Sequence, residues 1–298
     1  MDKKSGITKV EFLVVLAITL LFLTCLNPIL KINWRKRGRV VCGTNLKGLG
    51  TALYVYSQDY DRKYPKLGYG PWSKELGYSY EDAKFKPYKY EGPCTITSSL
   101  YLLVREADIS PKSFVCTEAR PDYSRVRPRK YSGFDGQNSM NLDIVELWDF
   151  GPEPHKHVGY AYHNPYGKYP ARDWLPASFA TMADMSPWFS NGNIQLQQTG
   201  EAAPQIIELT DPTTWKYGLS LNHELKKKSY SEGHYVVFAD GHASYEKQPN
   251  IGVNNDNIFT YWSTEENPSE QDIQGGAAPT SRSVENDAKS KDDSFLAI

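Results

Sequence analysis

Five polar residues in the second half of the chain, Asp184, Asn222, His223, Asp240 and His242, are of types that could share one ligand. Carboxylates and loop carbonyls suit a hard ion such as calcium, and the two imidazoles shift the preference toward a transition metal. The sequence requires no cofactor, and with no Cys-x-x-Cys it argues against a structural zinc site; the functional reading of the five gathers them into a single divalent-metal or polar site. Asp240-Gly241 also stands between two apolar runs, and that spacing predicts a hairpin with a type I′ turn, both central residues at positive φ. No Gly-x-Ser-x-Gly, His-Glu-x-x-His or phosphate loop occurs, so the sequence argues against an enzyme. Glu11 is the remaining residue with chemistry to explain. It is a lone carboxylate at the head of the uncharged run Phe12–Leu30, where burial in lipid costs roughly 2.5 to 3.5 kcal/mol and calls for a partner.

The elements that must carry these residues follow from periodicity. As a helix, Phe12–Leu30 is about 28 Å long at roughly 1.5 Å per residue, close to the roughly 30 Å hydrocarbon core, so residues 7–30 are expected to span a membrane. The run ends without an Ala-x-Ala cleavage pattern, unlike a secretory signal peptide, and Pro28 should bend the helix near its end. Beyond it, Cys42, Leu46, Leu49, Leu53, Tyr56 and Tyr60 recur at spacings of four and three, predicting an amphipathic continuation over 31–63 that stops before Pro65. Residues 64–263 read as a loop-rich α+β head. A short helix is expected over Ser98–Ala107, brief strands at Phe114–Cys116, His157–Tyr162 and Ser178–Ala183, and a further short element at Gln205–Leu209. The last stretch, 264–298, rich in Asp and Glu with Gly275-Gly276, reads as a disordered acidic tail.

The leader Lys3-Lys4-Ser5-Gly6, followed by Ile7, the Glu11 carboxylate and the apolar run, resembles the prepilin signature of type IV pilins and type II secretion pseudopilins. The stretch from Cys42-Gly43-Thr44-Asn45-Leu46 to Tyr64-Pro65 is similar to the large prepilin-type families of planctomycete-like bacteria. So are Met182-Ala183-Asp184-Met185-Ser186-Pro187 and the run from Leu219-Ser220-Leu221-Asn222-His223 to Asp240-Gly241-His242. The resemblance implies a pilin-like α+β fold, in which a long N-terminal helix, membrane-spanning and then amphipathic, packs against a head with short antiparallel strands. It also implies cleavage after Gly6 by a prepilin peptidase and a free, methylated amine on Ile7 that pairs with Glu11 of a neighbour. Assembly with other pilin-like subunits and an assembly platform would follow. The expected location is a single pass through the inner membrane, contacting lipid, with the head outside.

Cysteines and composition add boundaries. Cys25 falls in the apolar run and Cys42 on the helix face, leaving Cys94 and Cys116 as the expected bridge of an exported head, whereas similar proteins more often carry the pair Cys42 and Cys116. A net charge of −1 over 298 residues gives no reason to expect a nucleic-acid partner. The 21 Tyr and 7 Trp leave a second function open, an anchored binding module for glycans that does not polymerise, using Trp148, Trp174, Trp188 and Trp215 as stacking platforms.

Overall fold

A computed structural model of the chain describes residues 8–76, 91–118, 147–151, 154–190, 192–199, 203–223 and 230–298, leaving aside the side chains of 25–37. Gly6 and Ile7 lie outside the described residues. The chain divides into two units, residues 1–40 and 41–298, and helix α1 (Lys9–Asp59) runs through both.

In the first unit the expected membrane span is not supported. No helix among the described residues is long and apolar enough to cross a membrane. The uncharged stretch with described side chains, Phe12–Thr24, is about 20 Å long, against roughly 30 Å of hydrocarbon. The single-pass inner-membrane location and the membrane-spanning part of the fold class are corrected accordingly. What this stretch does show is exposure on all sides: Val10, Phe12, Leu13, Val14, Val15, Leu16, Ile18 and Leu20–Leu23 are each 45–70% accessible.

The second unit is α+β. Strands β1 (Tyr160–His163), β2 (Ala180–Asp184), β5 (His234–Phe238), β6 (Ala243–Glu246) and β7 (Leu296–Ala297) form an antiparallel sheet in the order β6-β5-β2-β1-β7, and β3 (Phe189–Ser190) pairs with β4 (Asn193–Ile194) in a separate hairpin. The later part of α1 buries Cys42, Leu46, Leu49, Leu53 and Tyr56, the face its periodicity predicts. Two glycines let it lie close to β5. A methyl on Gly43 would stand 2.6 Å from the Tyr235 ring, and one on Gly50 2.5 Å from Val237 Cγ1. Tyr235 and Val237 share one strand face, so α1 covers that face while His234 on the other meets Phe259 at 5.1 Å between ring centres.

Helix α2 (Ile96–Glu106) begins at Thr95, whose hydroxyl accepts from Ser98 N at 3.0 Å. The fully buried Asp149 receives hydroxyl hydrogen bonds from Thr95 and Thr97, and burial raises its carboxyl to about 7. Phe114–Cys116 is not a strand: Pro111 starts a single 3-10 turn, Pro111–Phe114, with Ser110 as its cap. Gln205–Leu209 is not a strand either, and only an isolated bridge joins Glu208 to Asp211.

Residues 264–298, expected to be a disordered tail, are ordered. Helix α3 (Glu270–Gln274) opens with a reciprocal Ser269–Asp272 capping box, and the chain ends as edge strand β7, with Phe295, Leu296, Ala297 and Ile298 buried. The acidic count misleads because Asp287 and Asp293 are buried acceptors. Asp293 Oδ2 takes the Trp262 and Lys289 N–H groups at 2.9 and 2.6 Å, and Asp287 Oδ1 takes Asn164 Nδ2 at 2.9 Å.

Candidate metal centre

Four distant segments converge beside the end of β2. Cys42 lies on α1, where that helix meets the sheet. Cys116 follows the 3-10 turn and is held against the entry to β1: Gly159 N donates to Phe114 O at 2.8 Å, and a Cβ on Gly159 would come within 2.7 Å of Cys116 N. Asp184 is the last residue of β2, and His223 follows a turn in which Asn222 N donates to Ser220 Oγ. One ligand atom from each of Cys42, Cys116, Asp184 and His223 lies within 4.8 Å of the other three, and all four residues are buried.

The polar atoms here are held but not all satisfied. Asp184 Oδ2 accepts Tyr235 N at 2.8 Å and its Oδ1 accepts Asn222 Nδ2 at 3.2 Å. Asn222 Nδ2 also donates to Gly159 O at 2.6 Å, which ties the carboxylate to the Cys116 segment. His223 Nε2 stands 3.1 Å from Asp184 Oδ2, yet neither ring nitrogen of His223 has a hydrogen-bond geometry with any described group. The two sulfurs are 2.8 Å apart, wider than the roughly 2.05 Å of a disulfide, and both thiols are free.

Charge follows from this packing. Its contact with Cys116, helped by His223 against burial and Asp184, lowers the Cys42 thiol to about 5. Burial first, then the adjoining Cys42 sulfur, pushes Cys116 well up, so the pair shares one proton. Burial opposes charge on His223, but Asp184 and Cys42 outweigh it and raise the imidazole to about 10. Nearby His234 is fully buried, and that burial lowers it to about 4. Thiolate and carboxylate, with the imidazole once His223 gives up its proton, form a buried donor set that suits a borderline-soft divalent ion.

No family model, curated protein or solved structure matches the chain. The site must be judged by its geometry.

Of the five residues expected to share a ligand, Asp184, Asn222 and His223 come together, with Asn222 holding Asp184 by its amide. Asp240 and His242 sit apart at the exposed tip of the β5–β6 hairpin, where Asp240 Oδ1 accepts from His242 N at 2.9 Å and faces its Nδ1 at 2.5 Å. The turn is not type I′ either. Phe238 pairs with His242 around a three-residue loop, Gly241 N donates to Phe238 O at 2.8 Å, and of Asp240 and Gly241 only Gly241 has positive φ, 78°. This is a type I turn closed by a left-handed glycine. The Cys94–Cys116 bridge is not formed: Cys94 Sγ donates to Gly92 O at 3.2 Å, and Cys116 faces Cys42. Cys42 and Cys116, which the sequence reading leaves out of the expected ligand set, complete the buried cluster. The resemblance to prepilin-type proteins pairs these two cysteines only as an alternative bridge, and nothing in the spacing marks them as ligands.

Glu11 has a local role as well. Thr8 N and Oγ1 donate to its Oε2 at 2.8 and 2.9 Å, and Glu11 N donates back to Thr8 Oγ1 at 3.3 Å, a capping box at the start of α1. The Thr8 N–H holds the exposed carboxyl below its usual range. The four tryptophans do not form a stacking surface: Trp148 and Trp188 are buried, Trp215 Nε1 donates to Glu208 O, and of the four only Trp174 is largely exposed.

Proposed function

We propose that the protein is a pilin-like structural subunit, cleaved after Gly6 by a prepilin peptidase and assembled with similar subunits through α1. The observation that carries this reading is the exposed apolar surface of α1 from Val10 to Leu23. A helix that is hydrophobic on every side is a buried element, and a continuous exposed apolar patch marks an interaction surface. The same segment from neighbouring subunits covers it in a bundle. Glu11 stands at the start of that surface, where its contacts among the described residues are with Thr8. In the bundle its charge meets the Ile7 ammonium of a neighbour.

Capping and charge pairing separate in two variants. Glu11→Gln keeps an acceptor for the Thr8 N–H but removes the charge; Glu11→Ala removes both, at about 1 kcal/mol of helix stability. As sole copies, both should be processed to begin at Ile7, read by N-terminal sequencing, and both should yield few or no sheared filaments. Wild-type filament yield from Glu11→Gln would leave Glu11 as a cap only and defeat the pairing. Mature protein that still begins at Met1 would defeat the subunit reading altogether.

The buried cluster of Cys42, Cys116, Asp184 and His223 we read as a divalent-metal site of the same subunit, supported by the convergence of its four ligand atoms.

A further inference from the structure

Resting on the reading of that cluster as a metal site, we propose that it takes zinc(II), bound tetrahedrally by Cys42 Sγ, Cys116 Sγ, one Asp184 oxygen and one His223 ring nitrogen, and that this ion fastens α1 to the sheet. The donor set decides the ion. Calcium needs six to eight oxygen ligands at about 2.3 to 2.6 Å, whereas this pocket offers two sulfurs, an imidazole and a carboxylate, the four-ligand mixture that structural zinc favours.

The second observation is the state of His223. Its side chain is fully buried, Nε2 lies 3.1 Å from Asp184 Oδ2, and neither ring nitrogen meets a partner in hydrogen-bond geometry, so the ring is open to a further ligand. A disulfide between Cys42 and Cys116 would satisfy neither nitrogen. A cation among the four side chains satisfies one, and it also offsets the close approach of the Asp184 carboxylate to the two sulfurs. The supporting contacts are those of a metal ligand: Asp184 is oriented by Asn222 Nδ2 and Tyr235 N, and Asn222 is itself anchored on Gly159 O. Two Zn–S bonds of about 2.3 Å at a tetrahedral angle place their sulfurs roughly 3.8 Å apart, so binding must open the 2.8 Å sulfur pair by about 1 Å. That movement falls on Cys42, on the face of α1, and Cys116, after a single 3-10 turn.

The ligands come from positions 42, 116, 184 and 223, so the ion closes three long loops at once, and its removal should loosen the second unit. The experiment uses the full chain, purified under reducing conditions and loaded with zinc, cobalt or calcium. Elemental analysis should find one zinc per chain. The cobalt form should show thiolate-to-metal charge transfer and the intense visible bands of a tetrahedral site. Cys116→Ser and His223→Ala should abolish stoichiometric zinc, and Asn222→Ala should weaken it tenfold to a hundredfold. A double Asp240→Asn, His242→Gln variant should bind like the parent, and parent-like circular dichroism of Cys116→Ser and His223→Ala separates lost ligation from misfolding. Chelation of the parent should lower its melting temperature, with recovery on adding zinc back. Stoichiometric calcium with no zinc would overturn the zinc assignment and leave a metal site standing. Reduced, folded protein that takes up no metal, or equal zinc binding by parent and His223→Ala, would overturn the assignment of these four ligands.

Discussion

His163 is buried with both ring nitrogens engaged, which fixes it as a neutral group. Nε2 donates to Tyr169 O at 2.8 Å, and Nδ1 accepts the Phe295 N–H at 3.2 Å, a bond that protonation would destroy. Burial lowers the group to about 4, partly opposed by the Tyr169 carbonyl. With an unfolded value near 6.5, the contribution of His163 is intact above that pH and is lost as pH falls toward 4, on the order of 3 kcal/mol. Asp149, Asp287 and Asp293, raised by burial to about 7, 6 and 7, work the other way and gain stability over the same descent. Only a comparison isolates the histidine: between pH 7 and pH 4, His163→Gln should lose about 3 kcal/mol less than the parent in urea unfolding, whatever its stability at pH 7. Parallel pH profiles would show that His163 is not the titrating group. At this scale Asp184 and His223 were legible as chemistry, because carboxylate and imidazole have few bland uses once buried. Cys42 was not, since on a helix face at a spacing of four from Leu46 a thiol reads as one more apolar side chain.

Elements explain why the structure brings only part of the expected ligand set together. β2 and β5 are antiparallel, with Ala183 opposite Val236 and Ala180 opposite Phe238, so Asp184 meets the start of β5 while the Asp240 turn lies beyond its end. Four to five residues of strand, roughly 15 Å, separate two groups that a linear reading placed together. The hairpin and the buried face of α1 were legible because both follow from strict periodicity. The glycines of α1 read only as weak helix formers, since close approach is a tertiary fact. They now make a paired test. Gly48 has open space where its Cβ would go, so Gly48→Ala should stabilise by up to about 1 kcal/mol through helix propensity. Gly50→Ala gains the same propensity but drives a methyl into Val237, and overpacking costs about 1 to 3 kcal/mol. Thermal denaturation should rank Gly48→Ala above the parent and Gly50→Ala below it. Equal stabilisation by both substitutions would mean that α1 does not rest on β5 at Gly50.

At the scale of the whole molecule, the acidic end of the chain turns out to complete the core of the second unit. Composition could not show this, because it counts Asp287 and Asp293 as solvated charge when they serve as buried acceptors, and it gives no weight to four apolar residues at the very end. Those residues close the sheet. Phe295 packs its ring 5.7 Å from Tyr261 and 6.1 Å from Trp72, its carbonyl accepts from Asn164 N at 3.0 Å, and Leu296 N donates to Ile258 O at 2.9 Å. β7 thereby covers the edge of β1, which would otherwise present unpaired backbone groups. Truncating a fully buried phenylalanine costs about 3 to 5 kcal/mol, a large share of the 5 to 15 kcal/mol that holds an ordinary domain together. Phe295→Ala should therefore lower the urea midpoint with little change in the slope of the transition, and limited proteolysis should begin to release the segment after Trp262. A loose tail would behave otherwise: an unchanged midpoint, together with rapid cleavage of the parent within 264–298, would show that the end of the chain does not belong to the core.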